Sequence, residues 1–428
     1  MRFLPLLLLL SFKLFAALPF SLVTKDNNRS DPTLFVIGGI HGNEPGGYFA
    51  AAMLAEYYEI TKGNLWIVPD LNRASIQRDR RGIHGDMNRK FSVCRPNDPD
   101  CEQVDALKTL MTHRQVSLIL NLHDGHGFYR KQNEGTIFNP KAWGQTCVID
   151  QCALDNNETY GDMDRIAREV SKKLNVGLIQ EHHSFNVKNT QTKFEDEAMR
   201  HSLTYFAITN NKPAFAIETS KHLSSLSQKV FYQLNAIEAF MQIMGIEYRR
   251  SFNLDQQSID TLLSQNGKVV INNKISLNLD TIRKSLSFIP LESNQNTFAF
   301  SHPLGSVKKE RGSYVLYIGN REITRLKPEH FDNGTCASSV TLEVDGSTKN
   351  VKIGSETDVS ADFRVKADAD LRVNIIGYTT PERRNENDSL VSLNDLNLDF
   401  SIDRTKRCFR VELYDKDSFC GMVTIHFK

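Results

Sequence analysis

The chain is 428 residues long, with 52 basic and 51 acidic side chains and a formal net charge of +1. That length exceeds one ordinary hydrophobic core and predicts two or three domains. Near-neutrality excludes a bulk nucleic-acid or membrane-surface binder, so function must sit in local constellations of residues.

The first element is a leader. MRFLPLLLLLSFKLFAALPF opens with Arg2, runs apolar from Phe3 to about Phe15 and reaches small residues at Ala16 and Ala17. This is the grammar of a secretory signal peptide, assigned to residues 1–19. No later stretch is long and apolar enough to cross a bilayer, so the mature chain is expected to carry no transmembrane segment. Seven cysteines fit an oxidising compartment. Cys94/Cys101 and Cys147/Cys152 are spaced for two local loop disulfides, and Cys336, Cys408 and Cys420 leave one odd thiol. Neither close pair has the CxxC spacing or the neighbouring histidines of a structural zinc site.

From about residue 30 to 250 apolar runs alternate with helical stretches. Buried strands are predicted at 34–40 (LFVIGGI), 65–71 (LWIVPDL), 117–123 (SLILNLH), 176–182 (VGLIQEH) and 214–219 (AFAIET). Helices are predicted over 48–60 (YFAAAMLAEYYEI) and from Val104, Asp164 and Ser225; the last sets Val230, Leu234, Ile237, Phe240, Met241 and Met244 close to one face. The pattern predicts an α/β domain over 20–250, with a mixed or mostly parallel sheet flanked by helices. Beyond Arg250 polar residues dominate and short β-rich runs recur. Asp345-Gly346 is a hairpin signal and Asp415 to Ser418 another turn. A small β domain over 251–335 and an immunoglobulin-like β-sandwich over 336–428 are predicted, with no repeats and no low-complexity tract.

The chemistry gathers at predicted strand ends. GGIHGNEPGG follows LFVI, and its His41 and Glu44, three residues apart, can converge on one cation while the glycines let the backbone bend close. HxxE alone is a weak pattern. His123 ends SLILNL in the same way, so adjacent strands would aim two histidines and a glutamate at one sheet edge, leaving an open position for water. His126, in the same turn, is a competing ligand or a substrate contact. GDMNRKF carries Asn88 and Arg89, which suit a carboxylate, although a solvated loop is the plain alternative. Upstream, Arg78, Arg80 and Arg81 offer a further cation for an anion or a polarised carbonyl. Glu218, late in AFAIET, is either a structural ion-pair partner or a general base.

In that order, His41/Glu44, Asn88-Arg89, His123 and Glu218 resemble the zinc carboxypeptidases over roughly residues 30–250. With the leader and the β-rich C-terminal half, the chain looks most like the periplasmic peptidoglycan D,L-carboxypeptidases that set helical cell shape in Campylobacter and Helicobacter. The resemblance implies one zinc ion per chain held by His41, Glu44 and His123, with Asn88 and Arg89 gripping the substrate carboxylate. It also implies that Arg81 polarises the scissile carbonyl and that Glu218 serves as base and then acid. His126 and Thr204 are carried as substrate contacts; Tyr205 is a further candidate for a tyrosine that has no secure counterpart. The implied reaction trims muramyl tripeptide to dipeptide in the periplasm and releases meso-diaminopimelate. The β domains are candidates for contacts with cell-shape proteins, and no nucleic-acid partner is implied. Two readings compete: a zinc deacylase of the aspartoacylase and succinylglutamate desuccinylase type, which shares the GGxHGNE-like opening, and a wall-binding scaffold with a vestigial site.

Overall fold

The computed structural model describes residues 18–155, 158–332, 334, 338–379 and 385–428. The leader assigned to 1–19 therefore falls almost wholly outside the described residues, as does Cys336.

A seven-stranded mixed sheet forms the first domain, in the order Val23–Asp26, Asn64–Val68, Thr33–Ile37, Val116–Gly125, Ala214–Ser220, Thr146–Ile149, Asn186–Asn189. Its inner strands Thr33–Ile37 and Asn64–Val68 are buried at every residue, as the unbroken apolar runs require of strands covered on both faces. The strands Thr33–Ile37, Val116–Gly125 and Ala214–Ser220 run parallel, so their C-terminal ends share one edge. The helices Pro45–Tyr57, Met163–Leu174 and Leu226–Met244 pack on one another and on the sheet.

Three local expectations are corrected. Residues 176–182 form no strand: Val176 is 86% exposed, and the segment runs through turns into the short 3-10 helix Glu181–His183. Ile179 is held there by its backbone N–H, which donates to the Tyr232 hydroxyl at 2.9 Å. The place in the sheet goes instead to Thr146–Ile149, antiparallel to Ala214–Ser220. Second, the helix from Pro45 ends at Tyr57, and Tyr58–Lys62 is a strand paired with Glu247–Arg250. Its alternation of buried Tyr58 and Ile60 with exposed Glu59 and Thr61 is the two-residue period of a half-covered strand. Third, Cys147 and Cys152 are both free thiols, the first buried within its strand and the second exposed beyond the strand's end. Cys94 and Cys101 do form a disulfide, Cys420 is disulfide-bonded, and Cys408 is free and buried.

Past residue 250 a helix, Gln256–Ser264, precedes a three-stranded and a four-stranded sheet. This middle region shares one continuous hydrophobic core with the first domain. It also braces the helix that starts beside Glu44, where the Arg321 guanidinium lies 5.1 Å from the Phe49 ring centre, and the short helix Arg73–Ile76, whose C-cap Gln77 donates to the Ser306 hydroxyl at 2.9 Å. The C-terminal part is a sandwich of two four-stranded sheets around a separate core that includes Leu342, Phe363, Val411 and Val423. Both predicted hairpins are present, joining Ser339–Val344 to Ser347–Lys352 and Cys408–Asp415 to Ser418–Phe427. Asp345 and Gly346 both take positive φ, 50° and 75°, the conformation a two-residue hairpin turn needs.

Candidate metal centre and active site

Where Thr33–Ile37 ends, the chain turns through Gly38–Asn43 into the helix Pro45–Tyr57. The turn passes so close to its neighbour that a Cβ at Gly42 would lie 2.1 Å from the Ser75 carbonyl carbon. Glu44 occupies the N-cap position of that helix without capping it. Asp124 takes over, accepting the Gly46 N–H at 2.9 Å and the Thr219 hydroxyl at 2.5 Å. The Glu44 carboxylate is thereby free to turn toward the sheet edge.

There it meets both histidines. Glu44 Oε2 lies 3.0 Å from His41 Nδ1 and 2.8 Å from His123 Nδ1, and the two ring nitrogens are 3.2 Å apart. All three side chains are buried. Asp86 accepts a hydrogen bond from His41 Nε2 at 2.8 Å, which leaves the Nδ1 lone pair pointing at the cluster. Electron pairs from two imidazoles and a carboxylate thus converge within hydrogen-bonding distance of one another, an arrangement that a shared proton or a cation relieves. The donor set, two nitrogens and one oxygen, is the one catalytic zinc sites use.

The electrostatics follow from this crowding. Against burial, the Glu44 charge and the Asp86 hydrogen bond raise His41 to about 8. Also against burial, His41 and His123 hold Glu44 well below the usual carboxylate range. Burial lowers His123. Asp86 is held down, against burial, by His41 and by the charges of Arg81 and Arg89.

Glu218 stands directly across from His123 in the parallel pair of strands. Burial, then the nearby Glu44 charge, raise its carboxyl above the ordinary range, with His41 and Arg81 partly offsetting them. A carboxylate made more basic at a site of this kind is suited to moving protons.

The cluster opens into a cavity of about 290 Å³. Of the three arginines, Arg81 lines it, donating from Nη1 to Glu44 Oε1 at 3.1 Å and from Nε to Asp86 Oδ2 at 2.9 Å. Asn88 and Arg89 line it too. Asn88 Oδ1 accepts the Leu203 N–H at 2.9 Å, which fixes the side chain. The loop carrying both residues is clamped at Lys90, whose Nζ donates to the His84 carbonyl, Asp98 and Asp100 at 2.8, 2.8 and 2.7 Å. Thr204 lines the cavity from the segment following Ser202, and His126 lines it too as an exposed residue, its ring 4.6 Å from that of His222. Among the described residues Tyr205 does not line the cavity.

Sequence reasoning passed over Asp86, Lys221 and Asn121. Asp86 sits two residues before Asn88, inside the very motif read for carboxylate binding, but 45 positions from His41, so no local signal marked it. Lys221 follows the Glu218 strand and brings its Nζ to 3.5 Å from Glu44 Oε1. Asn121 lies hidden in an apolar run.

Residues 6–264 match the family described as the catalytic region of carboxypeptidases controlling helical cell shape, and residues 333–428 match the C-terminal domain of metallo-carboxypeptidase. Among solved structures, the chain is similar to the product-bound and tripeptide-bound forms of the cell shape determinant protein Csd4 from Helicobacter pylori. Each is 30% identical with a TM-score of 0.90, covering 96% of this chain and 100% of that one. The mDAP-bound form of Helicobacter pylori Csd4, a D,L-carboxypeptidase, matches at the same identity and TM-score over 95% of this chain. No curated protein matches the sequence.

Proposed function

The chain belongs to the family of carboxypeptidases that control helical cell shape, and from that premise we propose that it is a periplasmic zinc D,L-carboxypeptidase that trims peptidoglycan muramyl tripeptide to dipeptide and releases meso-diaminopimelate. The observation that carries this reading is the convergence of His41 Nδ1, His123 Nδ1 and Glu44 Oε2 in one cavity with Asn88, Arg89 and Glu218. The tripeptide-bound and mDAP-bound relatives support the substrate.

His41, Glu44 and His123 would hold one zinc ion, which supplies Lewis acidity to water and to the scissile carbonyl. Asn88 and Arg89 bind the terminal carboxylate, so only the last residue of a chain can be placed for cleavage. Glu218 takes a proton from the attacking water and returns it to the leaving amine, which keeps the proton balance within one side chain. Arg81 faces the negative charge that develops on the carbonyl oxygen. Asp86 fixes the His41 ring and holds Arg81 at the same time. Thr204 and His126 serve as outer substrate contacts.

Family membership points to an extracytoplasmic location, and the leader at 1–19 supports the periplasm. Among the described residues no helix is long and apolar enough to cross a membrane. We assign the catalytic domain to 20–250, the small β domain to 251–335 and the immunoglobulin-like domain to 336–428, and take the β domains as the surfaces for cell-shape proteins.

The test compares muramyl tripeptide with its C-terminal amide. The free acid is cleaved and the amide resists; Arg89→Ala lowers kcat/KM on the acid about 10- to 100-fold, the worth of a lost charged hydrogen bond, and narrows the difference between the two. Faster hydrolysis of acylated amino acids than of muropeptides would favour the deacylase instead.

A further inference from the structure

We propose that the cleft between the middle region and the C-terminal sandwich is a saccharide site, which holds the glycan strand of peptidoglycan while the catalytic domain works on a stem peptide. This site rests on the peptidoglycan reading and adds to it a second place of contact with the substrate.

The cleft is a cavity of about 590 Å³, and it shares no lining residue with the catalytic cavity. Its floor is the outer face of the C-terminal sheet. Phe409, Val411 and Leu413 of the strand Cys408–Asp415 turn into the sandwich core, so the alternation sends Arg410, Glu412 and Tyr414 the other way. On the neighbouring strand Leu371–Ile375, Arg372 stands opposite Tyr414 and Asn374 opposite Glu412. The facing wall comes from residues 285–288. There the strand Ser285–Leu291 breaks register between Leu286 and Ile289, and Phe288 takes a φ of 57°, rare for a bulky residue. Irregularities of this kind re-aim side chains. The Phe288 ring lines the cavity while 67% exposed, and its carbonyl accepts from Arg410 Nη1 at 2.9 Å. Phe400, 50% exposed, lines it as well.

The charges of the floor answer one another. Arg410 Nη1 lies 3.1 Å from Glu412 Oε1, and the Tyr414 hydroxyl donates to Glu412 Oε2 at 2.7 Å. The Arg372 guanidinium lies 4.3 Å from the Tyr414 ring centre and donates to Asn374 Oδ1 at 2.9 Å. Arg410 and Glu412 are 5% and 3% exposed, so an ionic ligand that drew one away from the other would leave a buried charge unpaired, which is costly. Hydrogen bonding is what remains open. Among the described residues Arg410 Nε and Glu412 Oε1 have no hydrogen-bond partner, one a donor and the other an acceptor. A hydroxyl group accepts and donates at once and suits both. Saccharides present hydroxyls in rows, together with apolar C–H faces that pack on aromatic rings such as Phe288 and Phe400. A protein partner fits less well, because protein interfaces put apolar anchors at the centre and polar groups at the rim. Here the floor is polar and the exposed rings flank it.

The test compares the zinc-loaded full chain with the double variant Phe288→Ala, Phe400→Ala, in which two exposed rings are removed without opening a core. Calorimetry with a tetrasaccharide of N-acetylglucosamine, which carries no stem peptide, reads the cleft alone. Wild type binds it, and the variant binds at least tenfold more weakly with the same Tm. Release of diaminopimelate is then followed from muramyl tripeptide and from glycan strands bearing the same tripeptide. Holding the strand at a second site raises the local concentration of stem peptides. The variant therefore loses at least fivefold in kcat/KM on the strands and stays within twofold of wild type on muramyl tripeptide. A tetrasaccharide that wild type does not bind, or that both proteins bind equally, overturns the inference and leaves the cleft to a protein segment. Strands cleaved equally well by both proteins, or an equal loss on both substrates, overturn the role in holding substrate. If the double variant does not fold, Phe400→Ala carries the same comparison. Wild type that binds the tetrasaccharide and cleaves neither substrate overturns the proposed function while the saccharide site stands.

Discussion

Among the described residues, two clusters bring histidine and carboxylate side chains within ligand distance of one another: His41, Glu44 and His123 at the edge of the mixed sheet, and Glu356, Asp358 and His426 on the C-terminal sandwich. Their residue types are nearly interchangeable, but their surroundings are not. The first is buried, its charges compressed against each other and its His41 ring oriented by Asp86. The second is open to solvent, with His426 Nδ1 3.0 Å from Asp358 and Lys428 Nζ 3.1 Å from the same carboxylate. Water and Lys428 already answer its charges, so it reads as a surface ion-pair network. Proximity of ligand types is cheap; burial together with an orienting partner is what makes one of these clusters a site.

The largest effect that sharpens this contrast is at Glu218, beside the buried cluster. Glu218→Gln should lower kcat by about 10²- to 10⁴-fold, the range for loss of a positioned general base, with metal content unchanged as read by elemental analysis. The same carboxyl sets a pH expectation. Its folded pKa is raised, and the base must be ionised to act, so kcat/KM should fall as pH drops through a value above the ordinary glutamate range. Metal content monitored across the titration separates this limb from loss of the ion.

A smaller effect is expected at Asp86. Asp86→Asn keeps the shape and weakens the hold on His41, and zinc affinity should drop about 10- to 100-fold in a chelator competition. Unchanged affinity would show that burial alone orients the cluster. The smallest effect belongs to the sandwich. His426→Ala should leave the metal count at one per chain and alter unfolding free energy by no more than about 1 kcal/mol, as for an exposed pair. A lost equivalent of metal there would erase the contrast.

The legibility of the sequence follows the same division. Fully buried strands ending in a chemical residue were readable, because an unbroken apolar run such as LFVI or SLILNL has few alternatives and its end is marked by glycine or histidine. The strand-end placement of His41, Glu44, His123 and Glu218 came directly from that. VGLIQEH deceived because Leu178 and Ile179 pack from a loop, with Tyr232 holding Ile179, while the true strand Thr146–Ile149 offers only four residues. The bridge expected at Cys147 failed because strand pairing, not loop closure, decides where that thiol lies. Partners across long separations were the hardest to see. Asp86 reaches His41 over 45 positions, and nothing local announces it. Asn121 was masked by its own strand, a single polar residue in an apolar run.

The central question is whether the buried cluster performs hydrolysis of one terminal residue. The measurement is mass spectrometry of muramyl tripeptide incubated with the zinc-loaded protein. Loss of a single diaminopimelate, leaving the dipeptide intact, is the predicted result. Tripeptide recovered whole from a protein that carries its full complement of zinc would contradict it.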